Sequence, residues 1–119
     1  MKCWEINIPI YNKLIVLIQA DSIKDIDEYV EYYAHQPLEK LGTATQIGAA
    51  SYGNLPGDLL FLGVTPSYSL QELVHECGHM AWQIFEMIGG RDEEAFCYLL
   101  DYIFGKVHSC LTNIEDGNV

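Results

Sequence analysis

The sequence predicts a small α/β domain of the α+β kind, with a mixed sheet of about four strands in the order ββαββαα. Three observations predict it. Strand-like patterns fill the first half of the chain, a capping box opens a helix at residue 69, and a Gly-Gly pair separates that helix from a second one. With 119 residues and 50% apolar content the chain has room for one modest core, so we expect a single domain over residues 1–119.

The first two strands are predicted from hydrophobic patterning. Residues 3–8 alternate, with Trp4, Ile6 and Ile8 on one face, which is typical of a half-buried strand. Residues 14–18 form a continuous apolar run rich in branched side chains, which indicates a central strand covered on both faces. Because only a short segment separates the two, we expect them to form a hairpin.

A helix and two more strands come next. Ser22 opens the helix, with Asp25 at the position where a carboxylate caps the first turn, and Pro37 ends it. Its apolar positions fall on one side: Ile23, Ile26, Val30 and Tyr33. Residues 46–52 and 59–64 are predicted strands, separated by the turn-forming sequence GNLPGD. The predicted sheet is therefore complete before the long helices begin.

Two long helices complete the domain. Ser69 and Glu72 form a capping box, so the first of these helices is predicted to begin at Leu70. The Gly-Gly pair after residue 88 ends it. The second helix is predicted over residues 92–111, and its acidic start suits the positive end of the helix dipole.

The first long helix carries the pattern His-Glu-x-x-His at residues 75–79. Two residues four apart lie one turn above each other on a helix, so the imidazoles of His75 and His79 can converge on one metal ion. Glu76 is turned by about 100 degrees from His75, close enough to reach a water on that ion without competing for the ion itself. The pattern predicts a zinc site, with Zn2+ held by the two histidines and Glu76 as the general base.

A helical wheel separates these histidines from the core. With His75 set at zero, the apolar residues cluster around about 220 degrees. They are Leu70, Leu73, Val74, Cys77, Ala81, Ile84, Phe85 and Ile88. His79 lies at about 40 degrees and shares its side of the helix with Glu72, Trp82 and Glu86. The wheel disfavours a buried core histidine and favours a cleft.

A catalytic zinc ion usually has three protein ligands and one open position, so a third ligand is required. His35 and His108 are not at the spacing of the third histidine in metzincins. Each is predicted to be an ordinary surface or helix-end residue that could assist at the rim of the site. A carboxylate is therefore the predicted third ligand.

The motif and the helix that follows it resemble the gluzincin type of metallopeptidase, in which the second helix carries a glutamate ligand. The family's second motif reads roughly Glu-x-x-small-Asp. Residues 94–100, EAFCYLL, match it with Cys97 as the small residue and Tyr98 in place of Asp. The resemblance covers residues 69–104 and extends to minimal zincin-like proteins encoded by phages and prophages. It implies a zincin-like domain with Glu94 as the third zinc ligand.

The choice of carboxylate depends on how the two helices cross. In a tight antiparallel hairpin the residue level with His79 is near Asp101, and Glu94 lies about 10 Å further along the axis. Glu94 then reaches the ion only if the helices cross at an angle. We rank Glu94 first, Glu93 second and Asp101 third.

The resemblance implies a zinc-dependent peptidase that acts on a peptide or protein substrate laid along an edge strand formed by residues 59–64. Glu76 would take a proton from a water molecule and pass it to the leaving amine. Candidate donors to the oxyanion are Tyr68, Tyr98, Tyr102 and His108. Two alternatives stay open. One is a zincin-fold binding or inhibitory module without proteolysis, and the other is an acidic interaction protein that engages a basic partner.

Charge and composition restrict the partners and the compartment. Seventeen acidic residues against six basic ones give a formal charge of −11, which disfavours nucleic-acid binding. The sequence has neither a long apolar run nor a signal-peptide pattern, so we expect no membrane contact and a cytoplasmic location, in the host cytoplasm if a phage encodes the chain. The four cysteines are spread singly, which predicts separate thiols and not a disulfide framework. The oligomeric state is left open.

Overall fold

The computed structural model describes residues 1–34, 48–53 and 55–112. Within these ranges it has a four-stranded mixed sheet and three α-helices, which confirms the predicted mixture of α and β structure. The elements are β1 (Lys2–Ile8), β2 (Lys13–Gln19), α1 (Ile23–Ala34), β3 (Ala49–Tyr52), β4 (Phe61–Val64), α2 (Leu70–Met87) and α3 (Glu93–Thr112). Their order is ββαββαα when the single-turn 3-10 helices at Pro9–Tyr11 and Pro56–Asp58 are set aside. No helix in these ranges is both long and apolar enough to cross a membrane.

The strands lie in the order β1-β2-β4-β3. β1 pairs antiparallel with β2 as the predicted hairpin, β2 is parallel to β4, and β3 pairs antiparallel with the other side of β4. The expectation that residues 59–64 form an edge strand is wrong, because β4 has a hydrogen-bonded neighbour on each side. All four residues of β4 are buried, as suits an interior strand. β3 is the edge strand nearest to it.

The turn of the first hairpin depends on a left-handed residue. Asn12 has a φ of 54°, a conformation that Asn adopts more readily than most residues, and its N–H donates to the carbonyl of Pro9 at 3.1 Å. On β1, Ile6 and Ile8 are buried, Trp4 is partly buried against the core, and the other residues of the strand are exposed. β1 is therefore the half-buried strand that its alternation predicts.

β2 is covered on both faces, as predicted. Ile15 and Leu17 belong to the core on the side of α2 and α3, whereas Ile18 packs on the side of α1. All three side chains are fully buried. The domain thus has three layers, with α1 on one face of the sheet and the pair α2 and α3 on the other.

α1 begins as predicted, with the N–H of Asp25 donating to Ser22 Oγ at 3.2 Å. Its buried residues are Ile23, Ile26, Val30 and Ala34. The prediction of Tyr33 as the fourth core position is wrong, because Ala34 lies nearer the middle of the buried stripe and the tyrosine is half exposed. The predicted end at Pro37, and residues 46 and 47 of the third predicted strand, lie outside the described residues.

Local signals set the bounds of α2, as predicted. Ser69 Oγ accepts a hydrogen bond from the N–H of Glu72 at 3.1 Å, and Glu72 Oε1 accepts one from the N–H of Ser69 at 2.9 Å. At the other end Gly89 has a φ of 68°, and the N–H of Gly90 donates to the carbonyl of Phe85 at 2.9 Å. This closes the last turn in the way that a left-handed glycine allows.

Candidate metal centre

His75 and His79 lie one turn apart on the exposed side of α2, and their rings converge. Their Nε2 atoms are 3.1 Å apart and the ring planes are inclined at 82°. Two imidazole nitrogens bound to one tetrahedral zinc ion at 2.0–2.1 Å lie about 3.3–3.4 Å apart. The observed contact is a hydrogen bond between the two ring nitrogens, and its length is within about 0.3 Å of the spacing that two ligands of one zinc ion require.

The opposite side of α2 is buried against the sheet and α3. Its buried residues are Leu73, Cys77, Met80, Ala81, Ile84 and Phe85. The predicted apolar stripe is confirmed at its centre but not at Leu70, Val74 and Ile88, which are exposed. The first and last of these lie at the helix ends, while Met80 fills a buried place outside the predicted set. Both histidines lie off the buried side, as predicted.

Glu76 faces a cleft between α2 and the edge strand β3. Ser51 on β3 donates a hydrogen bond from Oγ to Glu76 Oε1 at 2.7 Å. The cleft has a volume of about 310 Å3 and is lined by Glu76, His79 and Gln83 of α2, by residues 49–51 of β3 and by Ile23 of α1. The carboxylate and one of the two imidazoles therefore open onto the same space.

Ser51 is a candidate functional residue that the sequence pattern does not single out. The available signal is strand alternation, which places Ala49 and Ser51 on the face of β3 towards α2, and Ala50 and Tyr52 on the face towards α1. Strand alternation identifies the face of β3 on which Ser51 lies, but not the residue that Ser51 contacts. Its contact with Glu76 spans 25 residues of sequence and depends on which strand lies at the edge.

Polar contacts hold α2 against β3. Glu72, Glu76 and Gln83 lie along one side of α2, in line with the edge strand. Glu72 Oε2 accepts a hydrogen bond from the N–H of Gly48 at 3.0 Å, just before β3 begins. Just after β3 ends, the Gln83 side chain lies against Gly53, where a β-carbon would overlap it. The edge strand is thus fixed to the motif helix before, within and after its length.

Replacing Glu72 with glutamine is expected to reduce the loss of folding stability that the protein shows when the pH is lowered. Hydrogen bonds from the N–H groups of Gly48 and Ser69 hold the pKa of the Glu72 carboxyl below its usual value. A carboxyl whose pKa is lower in the folded state than in the unfolded state stabilises the fold at pH values above its unfolded-state pKa. This stabilisation is lost as the pH falls through the folded-state pKa. We expect Glu72→Gln to lose about 1 kcal/mol at neutral pH.

Urea denaturation at neutral pH and below about pH 4 measures this effect. Because the glutamine cannot titrate, the variant should lose less stability on acidification than the wild type does. Glu86→Gln changes an exposed glutamate on the same helix and should keep the wild-type pH dependence. Equal acid sensitivity in the two variants would show that Glu72 is not a source of it.

Glu94, the predicted third ligand, lies exposed in the first turn of α3. Two residues later Phe96 packs edge-on against Trp82 and Phe85, with ring centroids 5.9 and 5.6 Å away. α3 therefore runs back along α2 with Phe96 beside the second half of that helix. In this register Glu94 lies roughly 10 Å along the helix axis from His79, and the carboxylate level with His79 is near residue 101.

Among residues 1–34, 48–53 and 55–112, no three His, Cys, Asp or Glu side chains are grouped so that they could hold a metal ion. The structure therefore brings together two of the predicted ligands, His75 and His79, and does not group Glu94 with them. The alternatives Glu93 and Asp101 are not grouped with them either. The spacing of the histidine pair is compatible with shared metal ligation, and both zinc binding and the third ligand stay predictions.

The tyrosines considered as oxyanion donors are not among the residues that line the cleft. Tyr68 is half buried and packs against the core on the side of α2 and α3. Tyr98 is exposed on α3, and the hydroxyl of Tyr102 donates to the carbonyl of Asn7 at 3.2 Å, on the other side of the domain. Their proposed role in stabilising an oxyanion therefore finds no support in these contacts.

The remaining histidines and the cysteine of the motif helix also have other positions. His108 stacks on Phe104 with ring centroids 5.4 Å apart, and His35 lies outside the described residues. Cys77 follows Glu76 in sequence but lies in the core, where burial raises the pKa of its thiol to about 12. Its side chain therefore lies on the buried side of α2, away from the histidine pair.

Comparisons of the chain with models of protein families, with curated proteins and with solved structures gave no match. A functional assignment therefore depends on the chemistry of α2, β3 and α3.

Proposed function

We propose that this chain is a zinc-dependent peptide hydrolase built on a small zincin-like domain. The observation that carries the proposal is the 3.1 Å separation of the Nε2 atoms of His75 and His79, beside a cleft into which Glu76 opens. Two convergent nitrogen donors and an adjacent carboxylate are the protein groups that metal-assisted hydrolysis uses. The proposed substrate is a peptide or protein segment that enters between α2 and β3.

Four side chains have roles in this proposal: His75, His79, Glu76 and Ser51. The two histidines would hold a zinc ion, which when bound would polarise a carbonyl and acidify a water molecule. Glu76 would accept a proton from the water and later pass it to the leaving amine. Ser51 holds Oε1 of this carboxylate, so Oε2 is the atom assigned to the proton.

The third ligand is proposed to be a carboxylate of α3. Glu94 is the first choice because of the resemblance to gluzincins, with Glu93 and Asp101 after it. Helix packing puts Asp101 level with His79 along the axis. However, Asp101 and Glu94 lie about 140 and 160 degrees around α3 from Phe96, the residue that contacts α2, so either carboxylate requires α3 to move when metal binds. The three carboxylates can be tested separately because all are exposed.

A second candidate function keeps the zincin-like domain without proteolysis, as a binding module. The observation that favours it is the absence, among the described residues, of a third group beside the histidine pair. Zinc binding together with peptide cleavage supports the first candidate. A folded protein that binds a partner but cleaves nothing supports the second.

Metal content tests the proposed site. Protein stripped by a chelator, reloaded with zinc and desalted is expected to retain about one ion per chain. His75→Ala and His79→Ala should each lose that ion, because each removes one of the two convergent nitrogens. His108→Ala changes a histidine of α3 that does not line the cleft, so it is the matched control and should keep the ion.

Two results would overturn the zinc site: a wild-type protein that retains no zinc, or a loss in His108→Ala as large as that in His79→Ala. The same measurement of retained zinc assigns the third ligand. The variants compared are Glu94→Gln, Glu93→Gln and Asp101→Asn, and the one that retains least zinc identifies it. Zinc retained without cleavage of an unfolded protein substrate would favour the binding module.

A further inference from the structure

A second concave surface lies at the opposite edge of the sheet from the cleft. We call it the tyrosine groove, and it is formed by residues 8–11 on one side and by Ala95, Tyr98, Leu99 and Tyr102 of α3 on the other. Its volume is about 530 Å3. Within the part of the chain that the structure describes, β1 and β3 are the edge strands, so the groove beside β1 and the cleft beside β3 are separate surfaces.

The tyrosine groove has a buried floor and an exposed apolar rim. Ile8 and Leu99 form the floor, with exposures of 1% and 4%. On the rim, Ile10 is 81% exposed, Tyr98 is 68% exposed and Tyr102 is 38% exposed. No charged side chain is among the described residues that line the groove. Apolar and aromatic side chains exposed together around a concavity are typical of a protein interaction site.

Hydrogen bonds fix both walls of the groove. The hydroxyl of Tyr102 donates to the carbonyl of Asn7 at 3.2 Å, which ties α3 to the end of β1. On the other wall the N–H of Asn12 donates to the carbonyl of Pro9 at 3.1 Å and closes the turn that presents Ile10. A partner would therefore meet a shape that already exists, which reduces the entropy lost on binding.

Charge selects the kind of partner. Glu94 and Asp101 lie one turn before and one turn after Tyr98 on α3, so carboxylates flank the exposed ring along the helix. Lys106 Nζ lies 5.6 Å from the centroid of the Tyr102 ring, so that ring already has a cation and the 68% exposed Tyr98 ring is the one that a partner's cation can approach. The formal charge of −11 disfavours a second copy of this chain, a nucleic acid or an anionic membrane on the same surface.

We infer that the tyrosine groove docks a cationic segment of another protein, one that inserts an apolar side chain between Ile10 and Tyr98 and places lysine or arginine near Glu94 and Asp101. The apolar floor supplies the contact area, and the two carboxylates and the exposed Tyr98 ring favour cations over anions. This surface does not include His75, His79 or Glu76. It shares Glu94 and Asp101 with the proposed third zinc ligands, so docking is independent of metal only where neither carboxylate binds the ion.

A pair of labelled helical peptides tests the inference. One carries leucines along one side and lysines along the other, and the second has glutamate in place of every lysine. The lysine peptide is expected to bind, more weakly as salt increases, and the glutamate peptide is not. Tyr98→Ser and Ile10→Ser should each weaken binding about 10-fold, the usual loss at a central interface contact.

Tyr32→Ser is the matched control, because Tyr32 is a 71% exposed tyrosine on α1, which packs on the other face of the sheet. It should leave the affinity of the lysine peptide unchanged. Equal losses in Tyr32→Ser and Tyr98→Ser, equal binding of the two peptides, or no binding at millimolar concentration would each overturn the inference. A wild-type dimer that Tyr98→Ser converts to a monomer would assign the groove to a second copy and overturn it as well.

Discussion

Glu76→Gln is expected to lower kcat for peptide cleavage about 100- to 10,000-fold while the zinc content stays unchanged. Glutamine has nearly the size of glutamate and its amide oxygen can accept the hydrogen bond that Ser51 Oγ now makes at 2.7 Å. An amide cannot take a proton from water at neutral pH, so only the proton-transfer role is removed. Cleavage of an unfolded protein and metal content are measured on the same samples.

The matched control for this variant is Glu86→Gln. Glu86 is exposed on the same helix and is not among the residues that line the cleft. Its replacement should change the rate by no more than roughly twofold, as for an ordinary surface substitution. If Glu76→Gln cleaves within about tenfold of the wild type, the carboxylate is not the general base, although the zinc site could still stand.

Most elements could be predicted from sequence because their signals are local. The capping box of Ser69 and Glu72 and the left-handed Gly89 lie within a few residues of the helix ends they define, and the structure has both. The alternation of residues 3–8 likewise describes burial on one strand. In the same way, the spacing of His75 and His79 fixes the distance between their rings once the helix is formed.

The features that could not be predicted depend on how elements pack together. Hydrophobic patterning shows that residues 59–64 form a strand but not that β3 pairs on its outer side. For this reason it did not identify β3 as the wall of the cleft or Ser51 as the partner of Glu76. The position of Glu94 relative to the histidines is set by the packing of Phe96, which no helical wheel of one helix contains.

The two proposed surfaces differ in how they would depend on conditions. The cleft needs a metal ion and unprotonated imidazoles, so acid and chelators should affect it. The tyrosine groove depends on apolar contact and long-range charge, so salt should weaken docking there, and a chelator should change docking only if Glu94 or Asp101 is a zinc ligand. Measuring both surfaces with and without chelator therefore separates a hydrolase that recruits a partner from a binding module alone.

Ile84→Ala is expected to lower the free energy of unfolding by about 2–5 kcal/mol. Ile84 is fully buried in the core between α2 and the sheet, in the same cluster as Leu17 and Leu62. Its truncation removes buried methyl and methylene groups and leaves a cavity that close-packed neighbours fill only in part. Urea denaturation at neutral pH, followed by circular dichroism, measures the loss.

Ile88→Ala is the matched control, since Ile88 lies one turn later at the C-cap of α2 and is 36% exposed. It should change the free energy of unfolding by no more than about 0.5 kcal/mol. The two isoleucines lie only about 40 degrees apart around the helix, so the difference between them reports how far along α2 the core extends. His79 lies about 140 degrees around the helix from Ile84, so a large loss in Ile84→Ala supports a histidine pair that faces away from the core. Equal losses in the two variants would mean that the core reaches the C-cap of α2.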